Sequence, residues 1–362
     1  MKNVGARRRP ARIRLDMGRS EKTSSRARKR ESALRTLLLR ALAHSQPTDL
    51  CVLIFSLTVI GLFFTLDQPF MWEAFYYYIK DPLIWMAFGQ APLLLILITE
   101  DRVGDTYNVK RTLHRYLRGV LTFGRDFTPF LICLVIYLNL ADKVHAVNPV
   151  DRDDWLITID QKLFGFQASQ WMERFSNVYL DEWMYLSYVV FGWYPIVLGL
   201  LFLARGQRRA FRDLLLAYVM ASFIGYLGYI AVPAIGPRYT LEYSVDLRHG
   251  FFASVEWAMK NNLYIPRDCF PSLHTANTLV VLGMAARYRP KTALAFAPFC
   301  LSTVVATVYL RYHYVIDVWA GAALAGAVLY LAPLWNERWD RWTAGLREDH
   351  AASKAPMRPP GG

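Results

Sequence analysis

Eight stretches of this chain are apolar over enough consecutive residues to enter about 30 Å of hydrocarbon, where a helix satisfies its own backbone hydrogen bonds. They run over Leu50–Leu66, Pro82–Ile98, Phe127–Ala141, Trp183–Ala204, Leu214–Val232, Ser272–Ala286, Thr292–Leu310 and Tyr314–Leu334. The third and sixth are short for a crossing, so either could be a re-entrant or partly buried helix. With 54% hydrophobic residues and a positive mean hydropathy, the 362-residue chain carries more apolar surface than one soluble core needs. The expected fold class is all-α, a polytopic membrane protein of about eight transmembrane helices.

Charge orders these helices. Residues 1–40 hold 14 Lys/Arg against Asp16, Glu21 and Glu31, so this tail supplies +11 of the net +13. Its composition reads as a disordered, positive-inside anchor that touches anionic lipid. It lacks the interleaved aromatics and zinc spacing of a nucleic-acid binder, and no nucleic-acid partner is expected. With the N-terminus inside, the turns carrying Arg102 to Arg125, Arg205 to Arg212 and Arg287 to Lys291 are basic and fall inside. The loop with Asp142, Asp151, Asp153, Asp154, Asp160, Glu173, Asp181 and Glu182 is acidic and falls outside. Both termini are then cytoplasmic in a plasma or inner membrane. The expected division is a tail over 1–45, N-terminal helices over 46–145, a catalytic core over 146–336 and a second tail over 337–362. Cys51, Cys133, Cys269 and Cys300 imply no disulfide framework.

Three polar clusters emerge on the outer side, each at a helix end. At the sixth span, Pro271 suits the first helical position, and the free N–H groups after it form an anion site. Ser272 adds a hydroxyl there, and His274 a proton donor that works near neutral pH. At the eighth span, His313 and Asp317 are four residues apart, so the carboxylate can hold one ring N–H and leave the other nitrogen to attack phosphorus. Arg311 and, after the Gly236-Pro237 turn, Arg238 offer planar forks for phosphate oxygens. No HExxH run is present, and no metal or cofactor is expected. Within Ile157–Phe175, an amphipathic interfacial helix is expected, with Asp160 either a solvated acid on its face or a group that orients substrate.

PSLHTA and RYHYVIDVWAG resemble the second and third motifs of the type-2 phosphatidic acid phosphatase superfamily, most closely its inositol phosphorylceramide synthase branch, over roughly residues 155–335. The resemblance implies a six-helix core and a metal-independent reaction through a phosphohistidine on His313. It implies His274 as general acid, Asp317 as the orienting acid and Ser272 as a phosphate contact. Departures are Thr307 where the superfamily has an arginine, with Arg311 placed as in sphingolipid synthases. Ala231 and Tyr239 also replace a lysine and a proline of the first motif. Fewer cations suit a singly charged phosphodiester. The expectation is a lipid phosphotransferase working on membrane lipids at the outer leaflet. A lipid phosphate phosphatase and a non-catalytic lipid-binding protein are the alternatives.

Overall fold

The computed structural model describes residues 36, 39, 41–43, 45–67, 109–140, 143–263 and 266–354. Two compact units divide the chain, residues 1–46 with 337–362, and residues 47–336. In the first, Trp339 donates to the Ser45 carbonyl at 2.9 Å and Arg347 to that of Ala43 at 2.6 and 2.8 Å. The basic tail over 1–35 and the expected span Pro82–Ile98 lie outside the described residues.

In chain order the helices are α1 (Pro47–Thr65), α2 (Val109–Leu140), α3 (Lys143–Val147), α4 (Asp153–Phe164), α5 (Ala168–Met172), α6 (Val178–Val189), α7 (Tyr194–Ala204), α8 (Arg208–Ala231), α9 (Pro237–Thr240), α10 (Phe251–Leu263), α11 (Leu273–Tyr288), α12 (Pro290–Tyr309) and α13 (Val315–Lys354). No strand occurs among the described residues. The fold is all-α, and among the described residues five helical stretches are long and apolar enough to cross a membrane: Pro47–Thr65, Val178–Ala204, Arg208–Ala231, Pro290–Tyr309 and Val315–Glu348. This is the pattern of a multi-pass membrane protein. The third expected span is the apolar end of the 32-residue α2, and the sixth is α11, at 16 residues short for a crossing.

Helix α8 is the centre of the bundle, packed by α1, α2, α7 and α11. Leu214, Leu216, Ala217, Val219 and Ala221 are wholly buried on it, which is why its sequence is apolar all round instead of amphipathic. The expected interfacial helix is broken. Gly165, at φ +78°, ends α4 with its N–H on the Gln161 carbonyl, and α5 follows. Trp155, Leu163, Phe166, Trp171 and Phe175 stay exposed along this segment. Asp160 does not: it is buried, because both its carboxylate oxygens are taken up inside the protein, Oδ2 by the Val315 N–H at 2.7 Å and Oδ1 by the Ile316 N–H at 3.0 Å. The acid expected on a solvated face instead caps the start of α13.

Candidate active site

The three clusters converge at one end of the bundle. Ser272 N–H donates to the Asp317 carbonyl at 3.1 Å, and Arg238 N–H to the Arg311 carbonyl at 2.8 Å, so PSLH, RYHYVID and GPR are tied to one another through the backbone. Two glycines permit this approach. A Cβ on Gly321 would lie 2.4 Å from the Ser272 carbonyl oxygen, and one on Gly236, at φ +92°, 2.7 Å from that of Tyr312. Asp153 braces the same place, accepting from Ile235 and Gly236 N–H at 3.0 and 2.9 Å and from the Tyr314 hydroxyl at 2.9 Å.

His313 is buried at the centre. Its Nδ1 lies 2.8 Å from the Cys269 carbonyl oxygen, which can only accept, so Nδ1 carries the proton and the neutral ring keeps its lone pair on Nε2. Asp317 Oδ2 is 3.6 Å from Nδ1, too far for a hydrogen bond, and instead accepts from the Tyr314 N–H at 2.7 Å and the Cys269 thiol at 3.0 Å. With the Asp317 carboxylate beside Nδ1 at ion-pair distance, the hydrogen bond from Nδ1 thus goes to the Cys269 carbonyl. This acceptor has no side-chain signature, so the sequence offers no signal for it.

His313 Nε2 faces His274 Nδ1 at 3.5 Å. His274 is half-buried between two rings that the sequence reading did not single out, stacked on Tyr188 at 4.5 Å and against Phe191 at 4.2 Å. The stack continues from Tyr188 to Tyr312 at 4.6 Å and from Tyr312 to the Arg238 guanidinium at 5.2 Å, which links the two polar halves of the site.

Ser272, fully buried, is the N-cap of α11, and helix residues begin at Leu273, so Pro271 precedes the cap instead of opening the helix. Its Oγ accepts from the Thr275 N–H at 3.2 Å and thereby occupies one of the N–H groups expected for phosphate. Arg311 sits at φ +70°, its guanidinium over the Tyr243 ring at 3.9 Å, donating to the Val245 carbonyl at 2.7 Å, with Glu173 Oε1 3.8 Å away. Burial lowers its pKa, opposed by Glu173. Arg238 donates to the Tyr312 hydroxyl, and Glu256 Oε1 is 3.8 Å from the same nitrogen. Burial alone would lower Arg238, but Tyr312 and Glu256 outweigh it and raise its pKa.

Cys269 Sγ, His313 Nδ1 and Asp317 Oδ2 lie within 4.8 Å of one another, a donor set that could hold a metal ion and that spacing along the sequence did not suggest. Each atom is already engaged. Burial pushes the Cys269 thiol well above its ordinary value, so it stays protonated toward Asp317, and Nδ1 serves the carbonyl.

A multi-pass helical protein with two facing imidazoles and two arginines gathered at its helix ends defines the class to which this chain should be compared. Residues 154–331, just under half of the chain, match the model of the PAP2 superfamily. The match contains both histidines, both arginines, Ser272, Asp160 and Asp317. The chain is also similar to inositol phosphorylceramide synthase of Candida albicans, 22% identical over 213 residues that make up 54% of this chain and 45% of the relative. It thus spans under half the length of that curated relative. No solved structure matches.

Proposed function

We propose that this chain is a lipid phosphotransferase that moves a phosphoryl or phospho-alcohol group from a phospholipid donor to a lipid hydroxyl through His313. The observation that carries this reading is the pair of imidazole contacts: Nδ1 on a carbonyl, Nε2 toward His274. In the scheme, the Nε2 lone pair forms a bond to phosphorus as the bond to the diacylglycerol oxygen breaks, and His274 delivers a proton to that oxygen. The acceptor hydroxyl then gives its proton to His274 and attacks phosphorus, breaking the N–P bond. With Nε2 of His313 and Nδ1 of His274 3.5 Å apart there is no space for phosphorus between the two nitrogens, so in this scheme His274 swings within its aromatic sandwich as substrate enters. Arg238 and Arg311 stabilise the equatorial oxygens, and Ser272 fixes the start of α11. The match to the superfamily model supports phosphoryl chemistry, and the likeness to inositol phosphorylceramide synthase supports a phosphodiester donor.

Purified protein, given head-group-labelled phosphatidylinositol with and without ceramide or diacylglycerol, tests this. Label entering a new lipid only when acceptor is present is the expected result. Water-soluble inositol phosphate released regardless of acceptor would replace transfer with hydrolysis, and absence of any turnover would leave a lipid-binding protein.

A further inference from the structure

The segment between the GPR turn and PSLH holds a carboxylate that the scheme above does not use. Glu256, in the middle of α10, is only 3% exposed. Its Oε1 accepts from the Tyr312 hydroxyl and lies 3.8 Å from Arg238 Nη1. Nothing about its position is loose. Glu182 on α6 accepts from the N–H groups of Phe252 at 3.0 Å and Ala253 at 3.4 Å, fixing the first turn of α10. A Cβ on Gly250, at φ +97°, would fall 2.5 Å from that same carboxylate. Burying Glu256 carries a desolvation cost that an apolar residue packed at the same place would avoid.

The charge around the arginines explains what this cost could achieve. Arg238 has Glu256 at 3.8 Å and Arg311 has Glu173 at 3.8 Å, so each cation assigned to phosphate is matched by one glutamate before substrate arrives. The two glutamates are not equivalent. Glu173 also serves the Ser244 and Val245 N–H groups at 3.0 and 3.1 Å, as a loop brace, whereas Glu256 reaches its arginine through a hydroxyl at the site. A phosphomonoester brings nearly two negative charges into this field and a phosphodiester one. In a dry site the second charge meets repulsion that the half-neutralised arginines do not offset.

We infer that Glu256 is a specificity-determining residue that makes the site select singly charged phosphodiesters against doubly charged phosphomonoesters. The inference rests on the proposed assignment of Arg238 to phosphate. It acts by weakening the field of Arg238 through Tyr312, and not by touching the reacting atoms.

The test separates binding from turnover. The full chain in lipid nanodiscs is titrated calorimetrically with inorganic phosphate, held at a pH where it is largely a dianion, and with dimethyl phosphate, a monoanion. Wild type, Glu256→Gln and Glu256→Asp are compared. Glu256→Gln keeps an acceptor for Tyr312 without the charge, and should tighten inorganic phosphate relative to dimethyl phosphate by roughly tenfold. Glu256→Asp retains the charge and should keep the wild-type preference. An unchanged ratio in Glu256→Gln, equal disturbance by both variants, or no binding of either anion to any of the three would overturn the inference. Because no lipid is turned over, the charge preference can stand even if the transfer assay fails, and the transfer assay can succeed while the preference is absent.

Discussion

Carboxylates, buried or half-buried, tie the chain together both beside the start of α8 and beyond its far end, yet they do so differently. Near its start, Asp213 collects side chains: Arg209 Nε at 3.1 Å, Asn336 Nδ2 at 2.6 Å and the Tyr288 hydroxyl. Near its far end, Asp153, Asp160, Glu173 and Glu182 collect backbone N–H groups from Ile235, Gly236, Ser244, Val245, Phe252, Ala253, Val315 and Ile316. A side-chain clamp fastens helices whose backbones are already satisfied. Carboxylates on backbone N–H fasten loops and the first turns of helices, and these include the segments next to His313 and Arg238. One arrangement serves stability, the other geometry.

The comparison breaks most visibly under His313→Ala. Transfer should fall by more than about a thousandfold while the protein stays folded and membrane-inserted, as read by the labelled-lipid assay beside a detergent melting curve. Retained turnover would remove the covalent scheme. Asp153→Ala should come next, since it strands the Ile235 and Gly236 N–H groups and leaves the Tyr314 hydroxyl with Thr240 alone. Turnover should drop about 10- to 100-fold, with roughly 2–4 kcal/mol lost in stability. Asp213→Ala should cost a similar or smaller stability, about 2–3 kcal/mol, yet leave turnover per folded molecule unchanged. Equal effects of the two substitutions on turnover would erase the distinction between the ends.

What the sequence made legible follows the same division. Hydropathy located five stretches that form apolar helices of crossing length, because their burial in lipid or in neighbours is a local property of the residues. The residues proposed for the chemistry could be singled out where spacing and helix ends coincide, as with His274, His313, Arg238 and Arg311, which the structure brings together. Two features could not. The Cys269 carbonyl that orients His313 is backbone, identical at every position of any sequence. The acids give no local sign of burial: Asp160, expected on a solvated face, lies in a segment of mixed polarity, and Glu256, not singled out from the sequence, has Lys260 four residues on. Only packing by residues more than 50 positions away turns them inward, as the contacts to Val315 and Tyr312 do.

The smallest effect is the most discriminating for the bracing end. Burial raises the Asp160 pKa, while its hydrogen bonds from Val315 and Ile316 N–H pull it back down, and the net direction is upward. A raised carboxyl pKa means that the folded protein holds the proton more tightly than the unfolded chain. Its contribution to stability is therefore fully present below the ordinary carboxylate range and is lost as pH rises through the raised value. Relative to Asp160→Asn, which cannot titrate, the wild type should gain stability on going from about pH 7 to about pH 4, by no more than roughly 1 kcal/mol. Melting curves of the two proteins across that range give the difference directly. A wild type that instead loses ground as pH falls would mean that the two N–H bonds outweigh burial. Asp160 would then be a charged cap whose ionised form the start of α13 requires, and the His313 segment would loosen in acid before the Asp213 end does.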